Sequence, residues 1–145
     1  WASMTPGVSR RCCRIWARSV PLGAASRRTS VASRRSDHVR GRIINATITD
    51  ATTSESLRTV EASGNRYVEP CLRIKVGQTV TFAMNFYRHP LAPACGPSPG
   101  PTILPVKADF SSTFTFDTPG VHGYFCKAHG RATGWGMSGA IDVVP

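Results

Sequence analysis

Apolar and polar residues alternate with a period of two along much of the chain after residue 42, which is the pattern of half-buried β-strands. Ile44, Ala46 and Ile48 share one side of a first run. Leu72, Ile74 and Val76 form a second, ending at the turn signal Gly77-Gln78. Val80, Phe82, Met84 and Phe86 carry the alternation through a third, which makes Met84 a packing residue. A Pro/Gly-rich stretch from Pro90 to Pro105 then interrupts the pattern. Phe114 and Phe116 mark a strand within 111–117, and Thr118-Pro119-Gly120 turns the chain into another over 121–126. Ile141 and Val143 face inward on a closing strand. No stretch keeps a helical period of useful length. Short strands separated by turn signals predict an all-β domain, either a sandwich or a barrel. Asn45-Ala46-Thr47 is a glycosylation sequon, but its place on a predicted strand argues for coincidence.

Charge divides the chain in two. The 145 residues carry a formal net charge of +10, yet residues 1–42 hold ten arginines against the single acid Asp37, for +9. Residues 43–145 hold eight basic and seven acidic residues, for +1. The predicted domain, 43–145, is therefore nearly neutral. It lacks the basic stripe interleaved with aromatics that nucleic-acid binding needs, and no nucleic-acid partner is expected. The Arg/Ser-rich tail, 1–42, reads as disordered or as a targeting segment. Its best apolar stretch, Val20 to Ala25, is short and holds Pro21 and Gly23, and the faintly twin-arginine-like Ser9-Arg10-Arg11 is followed by Arg14 and Arg18. The chain opens on Trp1, which leaves a non-native extension as the other reading of the tail. No run approaches the ~20 apolar residues of a membrane span, so stable membrane insertion is not expected.

The candidate chemistry lies near the C-terminus. Cys126-Lys127-Ala128-His129 is followed by a Gly-rich loop and then by Gly136-Met137-Ser138-Gly139, while His89 follows the third strand. One thiolate, two imidazoles and one thioether make a set suited to copper, with three tight ligands and a weak axial methionine. Soft sulfur favours Cu(I) and imidazole accepts both oxidation states, so little has to rearrange when an electron arrives. Zinc is the rival for Cys-x-x-His, but structural zinc sites want four Cys/His ligands. His122 lies on the same strand side as Cys126 but about 13 Å away at 3.3 Å per residue, so it is read as a core or rim histidine. Trp135 is either a surface aromatic near the site or a loop anchor. Cys71 and Cys95 are left as a possible disulfide, which would fit an oxidising compartment, or as two thiols.

These residues resemble the cupredoxins, the plastocyanin–pseudoazurin–azurin family of blue copper proteins. The likeness rests on Val76-Gly77-Gln78-Thr79-Val80-Thr81-Phe82, Thr118-Pro119-Gly120, Tyr124-Phe125-Cys126-Lys127-Ala128-His129 and Gly136-Met137-Ser138-Gly139-Ala140-Ile141. It covers roughly 68–144 and extends back toward Ile43. The resemblance implies a Greek-key β-sandwich holding one copper ion on His89, Cys126, His129 and Met137. Two departures bear on the site. Seven residues, Gly130 to Gly136, separate His129 from Met137, three more than in plastocyanin-like members. Pro90 also stands after the first histidine in place of the usual asparagine, so the tie between the two ligand loops must be made differently.

A type 1 copper protein that carries single electrons is the leading expectation, with transient redox-protein partners. A monomer, exported to the periplasm or cell envelope, is expected. The exposed ligand would be His129, ringed by Gly130, Ala132, Leu91, Ala92 and Pro93. A copper module for storage, delivery or sensing is the alternative. An enzyme is not expected: no Ser/His/Asp set, paired carboxylates or phosphate-cradling loop occurs, and copper enzymes of this fold generally need a second copper site.

Overall fold

The computed structural model describes residues 48–145. The tail, the domain boundary at 42/43, the sequon and the first predicted strand except Ile48 lie outside the described residues. Among the described residues the elements are β1 (Thr49–Asp50), β2 (Thr59–Ser63), β3 (Arg66–Tyr67), β4 (Cys71–Lys75), β5 (Thr79–Ala83), β6 (Leu91–Cys95), β7 (Ser111–Thr115), β8 (Gly120–Gly130) and β9 (Gly136–Val144). They form two mixed sheets, ordered β1-β4-β9-β8-β6 and β3-β2-β5-β7. The chain changes sheet between β4 and β5, and again at each step to β8, as in a Greek-key β-sandwich. No helix of the described residues is long and apolar enough to cross a membrane.

The inward sides of both sheets supply one core. Leu72, Ile74, Leu91, Tyr124, Cys126, Ile141 and Val143 come from the first sheet, and Val60, Tyr67, Val80 and Phe82 from the second. Tyr124 joins the layers, its ring edge-on to Phe82 at 4.9 Å and to Tyr67 at 5.0 Å. Its hydroxyl donates to the Pro70 carbonyl at 2.9 Å, whereas the buried Tyr67 hydroxyl has no hydrogen-bond partner. The two hydroxyls should therefore answer differently to removal. Tyr124→Phe is expected to cost about 1 kcal/mol in urea unfolding, while Tyr67→Phe should be neutral or slightly stabilising.

Three strands differ from the sequence expectation. The alternation that predicted a strand through Phe86 persists as burial of Met84 and Phe86, but β5 ends at Ala83. Beyond it, Met84 N–H donates to Phe110 and Phe86 N–H to Asp109, so these side chains stay inward while the chain turns. Val76 does not face inward; at 39% exposure it belongs to the turn after β4. The Pro/Gly-rich stretch contains β6, an edge strand, where Pro93 can be paired with Tyr124 because its other side needs no donor. The β2–β3 hairpin closes through Gly64-Asn65, with Gly64 at φ 56°.

The Cys71–Cys95 disulfide is not formed. Cys71 pairs with Ala140, Ala140 with Gly123, and Gly123 with Cys95, so the two cysteines lie three strands apart in one row. At about 4.8 Å per strand their Cα atoms are roughly 14 Å apart, twice the reach of a disulfide. They instead share a small buried cluster with Ala140 on the outer side of the first sheet, where burial pushes the Cys71 thiol up.

Candidate metal centre

His89 is placed by a turn that Asn85 builds. The Asn85 side-chain oxygen accepts from the backbone of Tyr87 and Arg88, at 3.1 and 3.2 Å, and its carbonyl accepts from His89 N–H at 2.9 Å. Sequence reasoning missed Asn85, although asparagine starting a turn is a known local signal. The tie between loops is rebuilt around Pro90: Lys127 N–H donates to the Pro90 carbonyl at 2.8 Å. Proline lacks a donor but keeps its acceptor, so the bond runs in that direction. Leu91 then pairs with Cys126 across β6 and β8.

The longer C-terminal loop is absorbed as a hairpin tip. Pairing of β8 with β9 runs to Phe125↔Ser138, breaks, and resumes at Gly130↔Gly136. Arg131 N–H donates to the Trp135 carbonyl and Gly134 N–H to Arg131, which closes the tip over 131–135. Gly134 and Gly136 sit at φ 85° and 70°, conformations that suit glycine. A Cβ on Gly136 would also meet the His129 carbonyl. The added residues thus leave the body of the hairpin intact. Met137 lies across from the irregularity formed by Cys126–His129, is 1% exposed, and belongs to the same core cluster as Cys126.

The fold brings His89, Cys126 and His129 together, with one ligand atom from each within 4.8 Å of the others. The two Nδ1 atoms are 3.2 Å apart, and the Cys126 sulfur lies 3.5 Å from His129 Nδ1 and 4.0 Å from His89 Nδ1. Metal bonds of roughly 2.0–2.3 Å to nitrogen and sulfur, at trigonal angles, space donors by about 3.5 Å, so the triangle has the size a single ion needs. Cys126 is fully buried, His89 nearly so, and His129 half-buried. Burial, then the neighbouring His129 and Arg88, hold the His89 imidazole below its ordinary value, which favours the neutral ring that binds metals.

Sheet order and donor triangle together decide the family resemblance. The fold is that of a cupredoxin. No sequence-family model matches the chain, and no curated protein does. Among solved structures the chain is similar to a copper-containing nitrite reductase from Thermus scotoductus SA-01, with 26% identity and a TM-score of 0.46, over 60% of this chain and 22% of that one. This chain therefore spans less than a quarter of the reductase. It is also similar to amicyanin from Paracoccus versutus, with 22% identity and a TM-score of 0.46, over 63% of this chain and 85% of that one. An oxidized amicyanin mutant aligns at 22% identity and a TM-score of 0.47.

Other sequence candidates lie elsewhere among the described residues. His122 is a core histidine, 1% exposed, edge-on to Phe116 at 5.0 Å, with Nε2 donating to the Thr118 carbonyl at 2.9 Å. Its Nδ1 is buried without a partner, and burial lowers its pKa below 6.5. The unfolded chain binds this proton at a higher pH than the folded one does. Stability from this group is thus fully present above pH 6.5 and falls as acid is added. Urea midpoints of copper-free protein should drop between pH 7.5 and 5.5, and His122→Phe should drop less. Trp135 is an exposed aromatic on the hairpin tip. The ring expected around His129 is corrected: Leu91 and Ala92 are 0% and 3% exposed and Gly130 is buried, Leu91 facing the core from β6 and Gly130 closing β8 against Gly136.

Proposed function

We propose that His89, Cys126 and His129 hold one copper ion, with Met137 as a weak axial donor, and that the protein carries single electrons between redox partners. The donor triangle carries this reading: two imidazole nitrogens and one sulfur converge with no carboxylate in the cluster. Copper, when bound, supplies a one-electron Cu(II)/Cu(I) couple. The residues do the rest. Cys126 holds its sulfur inside the core, away from water and oxidants, and Leu91 packs within the same core cluster. His89 is locked by the Asn85 turn, and the Lys127–Pro90 bond ties the two loops, so the donors keep their places in both oxidation states. His129, half-buried, is the edge through which an electron would enter or leave.

The donors are used in holding the ion, which favours a carrier over a catalyst. Burial of Cys126 and His89 opposes the fast metal exchange that storage or delivery needs. Partners are transient redox proteins, and the carrier is read as an exported monomer with residues 1–42 ahead of the domain. Titration with Cu(II) tests the reading: one equivalent should saturate an intense visible thiolate charge-transfer band. A colourless copper complex, or a band that saturates at two equivalents, would overturn it. Met137→Leu should keep the ion bound and coloured but raise the midpoint potential, since losing an axial donor favours Cu(I). An unchanged potential would remove Met137 from the ligand set.

A further inference from the structure

We propose that the free edge of β7 takes residues 29–33 of the chain's own Arg/Ser-rich tail as an added strand, clasped at both ends by arginine–aspartate pairs. Four strands lie at sheet edges among the described residues: β1 and β6 in one sheet, β3 and β7 in the other. An edge offers unpaired N–H and C=O groups, and proteins guard it with shortness, proline, bulges, charge or a covering segment. β1 and β3 have two residues each. β6 carries Pro93, an irregularity between Pro93 and Cys95, and a cover where Val106 pairs with Leu91. β7 is five residues long and reads Ser-Ser-Thr-Phe-Thr, without proline or charge. It is the unguarded edge.

The register fixes which backbone groups face outward. Phe116 N–H donates to the Gln78 carbonyl and Met84 N–H to the Phe110 carbonyl, at the two ends of the β5–β7 ladder. The bonded pairs between them are therefore Val80–Phe114 and Phe82–Ser112, and Ser111, Thr113 and Thr115 turn N–H and C=O away from β5. All three residues are exposed, and no described residue outside the ladder bonds to these groups. Asp109 and Asp117 bracket the ladder, both exposed and eight residues apart. Among the described residues the ion pair is Arg73–Asp142, which leaves both of these acids without a basic partner. The tail holds a segment of matching length and opposite charge. Thr29-Ser30-Val31-Ala32-Ser33 is uncharged, free of proline and glycine, and stands between Arg27-Arg28 and Arg34-Arg35. Arg27 and Arg35 are also eight residues apart, so with Val31 opposite Thr113 an arginine meets each aspartate in either strand direction. The stretch 20–25 is excluded by Pro21 and Gly23, which a strand disfavours. Residues 36–48 reach about 43 Å when extended, against about 19 Å across a five-stranded sheet and about 10 Å between sheets. Exposed ion pairs are weak singly, but a tethered segment meets the edge at high effective concentration. Occupied in this way, β7 no longer offers its edge to a second copy, which fits a monomer.

Amide hydrogen exchange of the full chain tests this and needs no metal, so its outcome is independent of the copper reading. The Ser112 and Phe114 amides, bonded to β5, should stay protected in every variant and report an intact fold. The Ser111, Thr113 and Thr115 amides should exchange at least about tenfold more slowly in the wild type at low salt than in an R27E/R28E/R34E/R35E variant. D109N/D117N should lose part of that protection through the other half of the clasp. V31P should lose it with every charge in place, because proline has no N–H to give the Thr113 carbonyl. Fast exchange of the three amides in the wild type, or protection unchanged in any of these variants, would overturn the added strand. Protection that rises with protein concentration would assign the edge to a second copy and overturn it too.

Discussion

Cys126→Ser is expected to abolish the visible charge-transfer band and to weaken copper binding by more than the about 10–100-fold that loss of a group behind a metal ligand costs. The sulfur sits on β8 where pairing with β9 breaks, fully buried between two imidazoles. A serine hydroxyl is nearly the same size but remains protonated and hard, so it offers neither the thiolate charge nor the soft donor that Cu(I) prefers. The fold should survive, since the swap keeps the volume and the register on either side. Circular dichroism of the copper-free variant should therefore match the wild type while the absorption spectrum does not. A variant that stays coloured would show that the band arises elsewhere.

A single methyl group at Gly139 is expected to do comparable damage to the fold itself. Tyr124 lies opposite Gly139 in the β8–β9 register and crosses it to reach the Pro70 carbonyl, which also accepts from Ala140 N–H at 2.8 Å. A Cβ at Gly139 would meet that carbonyl oxygen and the end of the Tyr124 ring at once. Neither can give way cheaply: one is backbone, and the other is a fully buried ring held between Tyr67 and Phe82. Gly139→Ala should cost about 3 kcal/mol or more, a large share of the about 5–15 kcal/mol a domain possesses. The urea midpoint measures it. Double substitution with Tyr124→Phe should recover only the small part of the clash that belongs to the hydroxyl, because the ring carbon and the carbonyl remain. A Gly139→Ala protein as stable as the wild type would mean that β9 can shift against β4.

The period-two alternation was legible because each strand buries one side, and burial leaves its record in residue type whatever the partner strand is. Phe82 on β5, and Ile141 and Val143 on β9, were read this way, as was the inward place of Met84 beyond the end of β5. The nearness of Cys126 and His129 was legible for a similar reason: three residues of chain keep them close before any long-range contact forms. Where Pro93 stands, the alternation was masked, because edge strands tolerate a residue that interior strands reject. The tertiary structure alone decided what depends on neighbours distant in sequence. It brought His89 to Cys126, 37 residues further along the chain, through the β6–β8 pairing. It set Cys71 and Cys95 three strands apart, where spacing along the chain had left a bridge open. It also set Arg73 beside Asp142, 69 residues further along the chain, through the β4–β9 pairing. Local pattern records which side of a strand is buried, but the pairing of strands determines which charges and which donors meet.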